Sequence, residues 1–131
     1  TMRRDREFLK RSPHCIEGTW GVEIIEELGA RPDDIHVVKH RYSGFFQTDL
    51  SIVLRGLGVD RLIVAGASTN WAVESTVRDA HSHDLEVIVV REAVATPFED
   101  LHEPSLRSMA TVFAKVLDVD QVVDTGPDRQ A

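Results

Sequence analysis

The chain has 131 residues, 42% of them hydrophobic and 28% charged, with a net charge of −7; this size and balance suit one globular domain with its own core and exclude a disordered chain. No apolar run approaches the roughly 20 residues of a membrane-spanning helix, and an acidic chain without a dense Lys/Arg stripe is not built to bind nucleic acid. The single cysteine, Cys15, has no partner for an intrachain disulfide and fits a cytoplasmic protein.

The opening stretch, TMRRDREFLKRSPHC, has no apolar segment of the kind a secretory signal needs. Its cations Arg3, Arg4, Arg6, Lys10 and Arg11 are interrupted by Asp5 and Glu7, and read as a solvated helix face rather than an anion site. Because no strand precedes this polar opening, the single domain expected over residues 1–131 is expected to be N-terminally incomplete. IHVVKH, residues 35–40, is short, apolar and rich in β-branched residues, which predicts a strand. In TDLSIVLRGLG, Leu50, Val53, Leu54 and Leu57 recur at helical spacing, with Thr48 placed to cap the start and Gly58 to stop the end.

RLIVAGA, residues 61–67, is apolar without alternation, the pattern of a strand covered on both faces. The helix predicted next has Asn70 or Thr69 as its cap and Val73, Val77 and Ala80 as its inner stripe. LEVIVVREAV predicts a further buried strand. A helix from about Pro104 follows, with Leu106, Met109, Ala110 and Phe113 on one face. VDQVVD is expected to be the last strand and TGPDRQA a frayed tail. This alternation predicts an α/β fold, a three-layer α/β/α Rossmann-like parallel sheet. Ligands bind beyond the carboxyl ends of such strands, which singles out residues 39–46, 66–72 and 91–98.

Few groups in those segments can carry chemistry. Lys39 closes the 35–40 run at the ligand-facing edge. A desolvated ammonium there can donate a proton or hold developing negative charge, whereas the same side chain can simply reach into solvent past the strand end. In GASTN, residues 66–70, a glycine and small residues at a strand-to-helix turn let successive N–H groups converge, and the next helix adds partial positive charge. Such a turn can stabilise an oxyanion, and Ser68, Thr69 and Asn70 can equally be ordinary helix caps.

VVKHRYSGFFQTDL, VAGASTNWAVESTVRDA and the upstream PHCIEGTWG resemble, in order and spacing, the isochorismatase-like cysteine hydrolases. Nicotinamidases, N-carbamoylsarcosine amidases, biuret hydrolases and ureidoacrylate amidohydrolases belong to that family. The likeness runs from about Pro13 to the last predicted strand and implies an Asp-Lys-Cys triad on a Rossmann-like sheet. The family's lysine falls on Lys39. Its nucleophilic cysteine, in a T-N-x-C-V-E-S-T pattern, falls on Ala72, and its aspartate belongs to a D-x-Q-N-x-F type motif that does not occur here. The resemblance further implies an oxyanion hole of backbone N–H groups at Ser68 and Ala72, with a non-proline cis peptide between Ala67 and Ser68.

A methyl group cannot attack a carbonyl, so the expected enzyme is an amidohydrolase of small amide or ureido/N-carbamoyl compounds in an inactive form. Thr69, Asn70, Val73, Glu74, Ser75 and Thr76 keep the family pattern around Ala72, which favours deliberate replacement of a cysteine over drift in a pseudoenzyme. Cys15 matches a family loop whose cysteine is not the attacking thiol, and His14 beside it is either a pocket residue or structural. Tyr42, Phe45 and Phe46 are candidates to wall a small planar substrate or to seal the sheet end. Trp71 would shape the pocket or a subunit contact, Arg41 would meet a substrate carboxylate or stay solvated, and Asn70 would hydrogen-bond an amide. No metal and no cofactor is expected, and the family suggests a homo-oligomer, dimer or tetramer. Two other readings stay open: a vinyl ether hydrolase of the isochorismatase type, which needs no cysteine, and a non-catalytic binding protein.

Overall fold

The computed structural model describes residues 14–124, so the basic cluster at 3–11 and the tail at 125–131 lie outside the described residues. The chain divides between His36 and Val37 into two units. Within the first, residues 14–36 are all exposed and form two short 3₁₀ turns, Trp20–Val22 and Glu26–Leu28. Gly29, with φ of 59°, closes the second turn by donating its N–H to the carbonyl of Glu26 at 2.9 Å.

The second unit runs α1 (Leu50–Gly56), β1 (Arg61–Ala67), α2 (Glu74–Ser82), β2 (Glu86–Ala95), α3 (Glu99–Val112), β3 (Lys115–Leu117) and α4 (Val119–Asp124). The strands pair in parallel in the order β1-β2-β3, with α2 and α3 as the crossovers, so the α/β fold and the parallel sheet stand as the alternating pattern predicts. Val73 and the α2 residues Val77 and Ala80 form the predicted inner stripe, each buried. They join Leu106 and Met109 of α3 and Val87 and Val89 of β2 in one core. Ile88 and Val90, on alternate positions of β2, are buried as well, which accounts for the unbroken apolar run of that strand.

The end of α1 shows how local sequence sets a boundary. Gly58, with φ of 66°, lies just past the helix. Its N–H donates to the carbonyl of Arg55, and the N–H of Val59 donates to that of Leu54. This is a Schellman arrangement, and it favours glycine at the left-handed position. At the start of α1 the Thr48 hydroxyl donates to the Gly44 carbonyl and accepts a long 3.4 Å bond from the Leu50 N–H. The cap position itself is Asp49 rather than Thr48.

Several sequence expectations are corrected. Residues 35–40 form no strand; Ile35 and Val38 are exposed. A β-branched run becomes a strand only where a neighbour takes up its backbone groups, and the three-stranded sheet does not extend to it. Among the described residues β1 lies at the edge of the sheet with Ile63 exposed, rather than covered on both faces. VDQVVD is the helix α4, not a strand: Gln121 accepts the backbone N–H of Asp118 at 2.9 Å, one half of a capping box. The last strand is Lys115–Leu117. α3 begins at Glu99, and Pro104 lies inside it. Glu99 and Asp100 in the first turn favour the positive end of the helix dipole, and Pro104, without an N–H, leaves the Asp100 carbonyl without its intrahelical bond. Ala110, expected on the inner face, is exposed.

At the amino ends of the strands, Glu86 of β2 accepts hydrogen bonds from Arg61 of β1, at 2.7 Å, and from Lys115 of β3. Its half-exposed carboxylate thus links all three strands. The Lys115 ammonium first, and then the Arg61 guanidinium, hold the Glu86 carboxyl below its ordinary value of 4.5. A carboxyl whose pKa is depressed on folding stabilises the fold above its unfolded pKa and loses that effect as pH falls through the folded value. Replacement Glu86→Gln is expected to lower the melting temperature at pH 7. The difference from the parent should shrink towards pH 3 and with added salt, which screens a half-exposed pair. An equal difference at both pH values in thermal melts would contradict this.

Candidate active site

The carboxyl end of β1 is shaped by an irregular register. Val64 pairs with Val89, but Gly66 pairs with Val94 and Ala67 with Ala95, so β2 carries three extra residues across this step. Gly66 has φ of 122°, a conformation that a side chain disfavours. The peptide between Ala67 and Ser68 is cis, as the family resemblance implies.

The chain then enters a π turn, Thr69–Val73, before α2. The carbonyl of Ser68 accepts the N–H groups of both Trp71 and Val73 at 3.1 Å. Neither Thr69 nor Asn70 caps the helix, contrary to expectation; both side chains are engaged sideways. The fully buried Thr69 hydroxyl bonds Nδ1 of His102 in α3 at 3.1 Å. Asn70 Oδ1 accepts the hydroxyl proton of Thr96, which follows β2, at 2.7 Å. Ala72 is half-buried at the leading end of α2 rather than sunk in the hydrophobic interior.

A second segment docks on this turn. The Gly44 N–H donates to the Thr76 hydroxyl at 2.9 Å, and that hydroxyl donates to the Ala72 carbonyl at 2.7 Å. The approach is close: a Cβ on Gly44 would lie 3.3 Å from Leu50 Cδ2 and 3.4 Å from Thr76 Cγ2. Tyr42 and Phe98 flank Trp71, with ring centroids 5.9 and 5.2 Å away, an aromatic row beside the turn.

Ala67, Ser68, Asn70, Trp71, Ala72 and Tyr42 therefore come together. Phe45 does not belong with them. It is buried in the core and stacks on His83 at 4.9 Å, and His83 follows the far end of α2, about 16 Å along the helix from Ala72 at 1.5 Å per residue. Phe45 thus seals the fold, the blander of its two expected roles. Phe46 is exposed. Lys39 is exposed in irregular chain, not at the end of a buried strand. Among the described residues its ammonium has one hydrogen-bond partner, the carbonyl of Arg41 at 3.0 Å. The half-buried Arg41 donates to the His40 carbonyl at 2.7 Å. Cys15 is exposed in the first unit. Thr96 and Phe98 lie in the 91–98 segment expected at the ligand-facing edge but have no role assigned to them there, and His102 is not singled out from the sequence; placing the helix start at Pro104 puts His102 in a loop, and only the acidic pair Glu99–Asp100 signals the earlier start.

The family model for the isochorismatase domain matches residues 1–121. The chain belongs to the isochorismatase family. It is 40% identical over 121 residues to the ureidoacrylate amidohydrolase RutB of Methylorubrum extorquens, covering 91% of this chain and 48% of that protein. The corresponding protein of Acinetobacter baylyi is 36% identical over 127 residues, covering 95% and 51%. Among solved structures, an isochorismatase-like hydrolase from Alkaliphilus metalliredigens superposes with a TM-score of 0.82 at 37% identity, over 87% of this chain and 63% of that one. The N-carbamoylsarcosine amidase of Thermoplasma acidophilum superposes with a TM-score of 0.76 at 30% identity, over 89% and 66%. The chain spans about half the length of the curated relatives it matches.

The Thr76 hydroxyl joins the 41–46 segment to the turn through both a donated and an accepted bond. Thr76→Val keeps the shape and removes both; it is expected to cost about 1–2 kcal/mol in denaturant unfolding, with Thr76→Ser close to the parent. Equal stability of the valine variant and the parent would contradict this.

Proposed function

We propose that the chain carries the active-site turn of a C–N hydrolase for small amide or ureido/N-carbamoyl compounds, with Ala72 standing where the nucleophile belongs. The observation that carries this reading is the position of Ala72: half-buried, at the leading end of α2, on a turn beside an aromatic row. The similarity to proteins named for ureidoacrylate and N-carbamoylsarcosine supports the substrate class.

In a competent form, a cysteine thiolate at position 72 would attack the carbonyl carbon of the substrate. The Lys39 ammonium, released from the Arg41 carbonyl, and the positive end of α2 would favour thiolate over thiol, lowering the thiol pKa from about 8.5. Backbone N–H groups at Ser68 and Ala72 would hold the oxyanion. Collapse would break the C–N bond and expel ammonia or an amine, and water would then release the acid. The proton transfers fall to a carboxylate, which the family resemblance assigns to an aspartate motif absent from this sequence. Tyr42 and Trp71 would wall a planar substrate, Asn70 would face its amide from the turn, and Arg41 would meet a carboxylate. The same reading takes the protein as a homo-oligomer and Ala72 as a replacement of cysteine. The alanine itself also favours a second reading, a binding protein without catalysis.

Ammonia release from a panel of amides and ureido compounds, measured with Ala72 and with Ala72→Cys in a full-length chain that also carries the upstream aspartate motif, separates these readings. The expected result is release by Ala72→Cys alone, together with alkylation of the introduced thiol faster than that of a free cysteine. Isochorismate turnover with Ala72 in place, or an introduced thiol of ordinary reactivity without ammonia release, would overturn the proposal.

A further inference from the structure

A π turn is a minor backbone form. It holds one residue more than an α turn, and unaided it tends to tighten. The turn Thr69–Val73 is secured by two side-chain bonds from the β2–α3 segment. Thr69, with no exposed surface, meets His102 Nδ1 at 3.1 Å, and Asn70 meets the Thr96 hydroxyl at 2.7 Å. If the turn tightened by one residue, position 72 would rotate by about 100° around the helix axis, away from its place at the end of β1. A buried hydroxyl left without its partner also carries a cost that drives such a rearrangement.

We infer that His102 is a positioning residue: through Thr69 it holds the π turn in the register that presents position 72 at the strand end. His102 does not reach the reacting atoms in this role. The inference rests on the hydrolase reading for its catalytic meaning but not for its geometry. Thr96 supports the neighbouring Asn70 in the same way, so the β2–α3 segment clamps two consecutive residues of the turn.

The test uses Ala72→Cys in a Cys15→Ser background, so that the introduced thiol is the only one. Iodoacetamide alkylation is compared for His102→Leu, which has no polar atom, and His102→Asn, whose amide can replace Nδ1. The leucine variant is expected to react about fivefold more slowly, and the asparagine variant within about twofold of the parent. In a Trp20→Phe background, Trp71 emission is expected to move to longer wavelength for leucine and to return for asparagine. Thr69→Val, of the same shape as threonine, repeats the leucine result from the other side of the bond and serves if His102→Leu does not fold. Leucine and asparagine variants that behave alike, or a Thr69→Val variant with parental emission, would overturn the inference. Should the introduced thiol react as an ordinary one in the parent background, the hydrolase reading fails by itself, and Trp71 emission alone decides the positioning role.

Discussion

A hydroxyl sealed from water needs a hydrogen-bond partner within the protein, and Thr69 meets that demand through His102. The pairing ties the exit of β1 to α3, an element 33 residues away in sequence. Around that tie the other features fall into place. Gly66 lets the strand end in a conformation closed to most residues, the shifted register brings Val94 and Ala95 alongside it, and Thr96 is thereby placed to reach Asn70. Trp71 projects between Tyr42 and Phe98, and Ala72 is left at the head of α2.

The sheet supplies the rigidity that such a turn requires. Val87 and Val89 pack under α2 and α3, and Arg78 of α2 bonds both Glu74 and Ser108 while lying 4.2 Å over the Phe113 ring. The two crossover helices are thus held to each other as well as to the strands. At the opposite end, Glu86 ties β1, β2 and β3 through Arg61 and Lys115. Glu86 links the amino ends of the strands by charge, Arg91 pairs with Glu103 and with Asp118 just past β3, and uncharged hydrogen bonds shape the turn at the carboxyl end of β1, where a ligand would bind.

Much of this was legible in the sequence because it is local. The period of Leu50, Val53 and Leu54 with Gly58 beyond it, the run RLIVAGA, and the stripe Val73, Val77, Ala80 each specify an element through their own spacing. What the sequence leaves unsaid depends on distant partners. IHVVKH has strand composition but no strand partner among the described residues. Val119, Val122 and Val123 suit either a strand or one face of a helix, and the Asp118–Gln121 cap decides for the helix. Thr69 and Asn70 have the chemistry of helix caps, yet burial against α3 and the β2 exit redirects them. Of the candidate site, the turn residues follow from the strand-to-helix junction and the family motif, and the 91–98 segment from the strand end, whereas His102 and the particular contacts of Thr96 and Phe98 follow only from the packing of β2 and α3 against the turn. Phe45, aromatic and close in sequence to Tyr42, belongs to the core because its side chain meets the far end of α2.

The family assignment and the geometry of the turn both support the proposal that Ala72 stands where a nucleophile would act. A crystal structure of the chain with a small ureido compound bound tests that proposal most directly. The expected result is a carbonyl oxygen within hydrogen-bond distance of the backbone N–H groups of Ser68 and Ala72, its carbon facing Ala72 Cβ and the Lys39 ammonium turned towards it. A ligand seated elsewhere, or Ala72 Cβ directed into the core away from it, would contradict the assignment of this turn as the reaction centre.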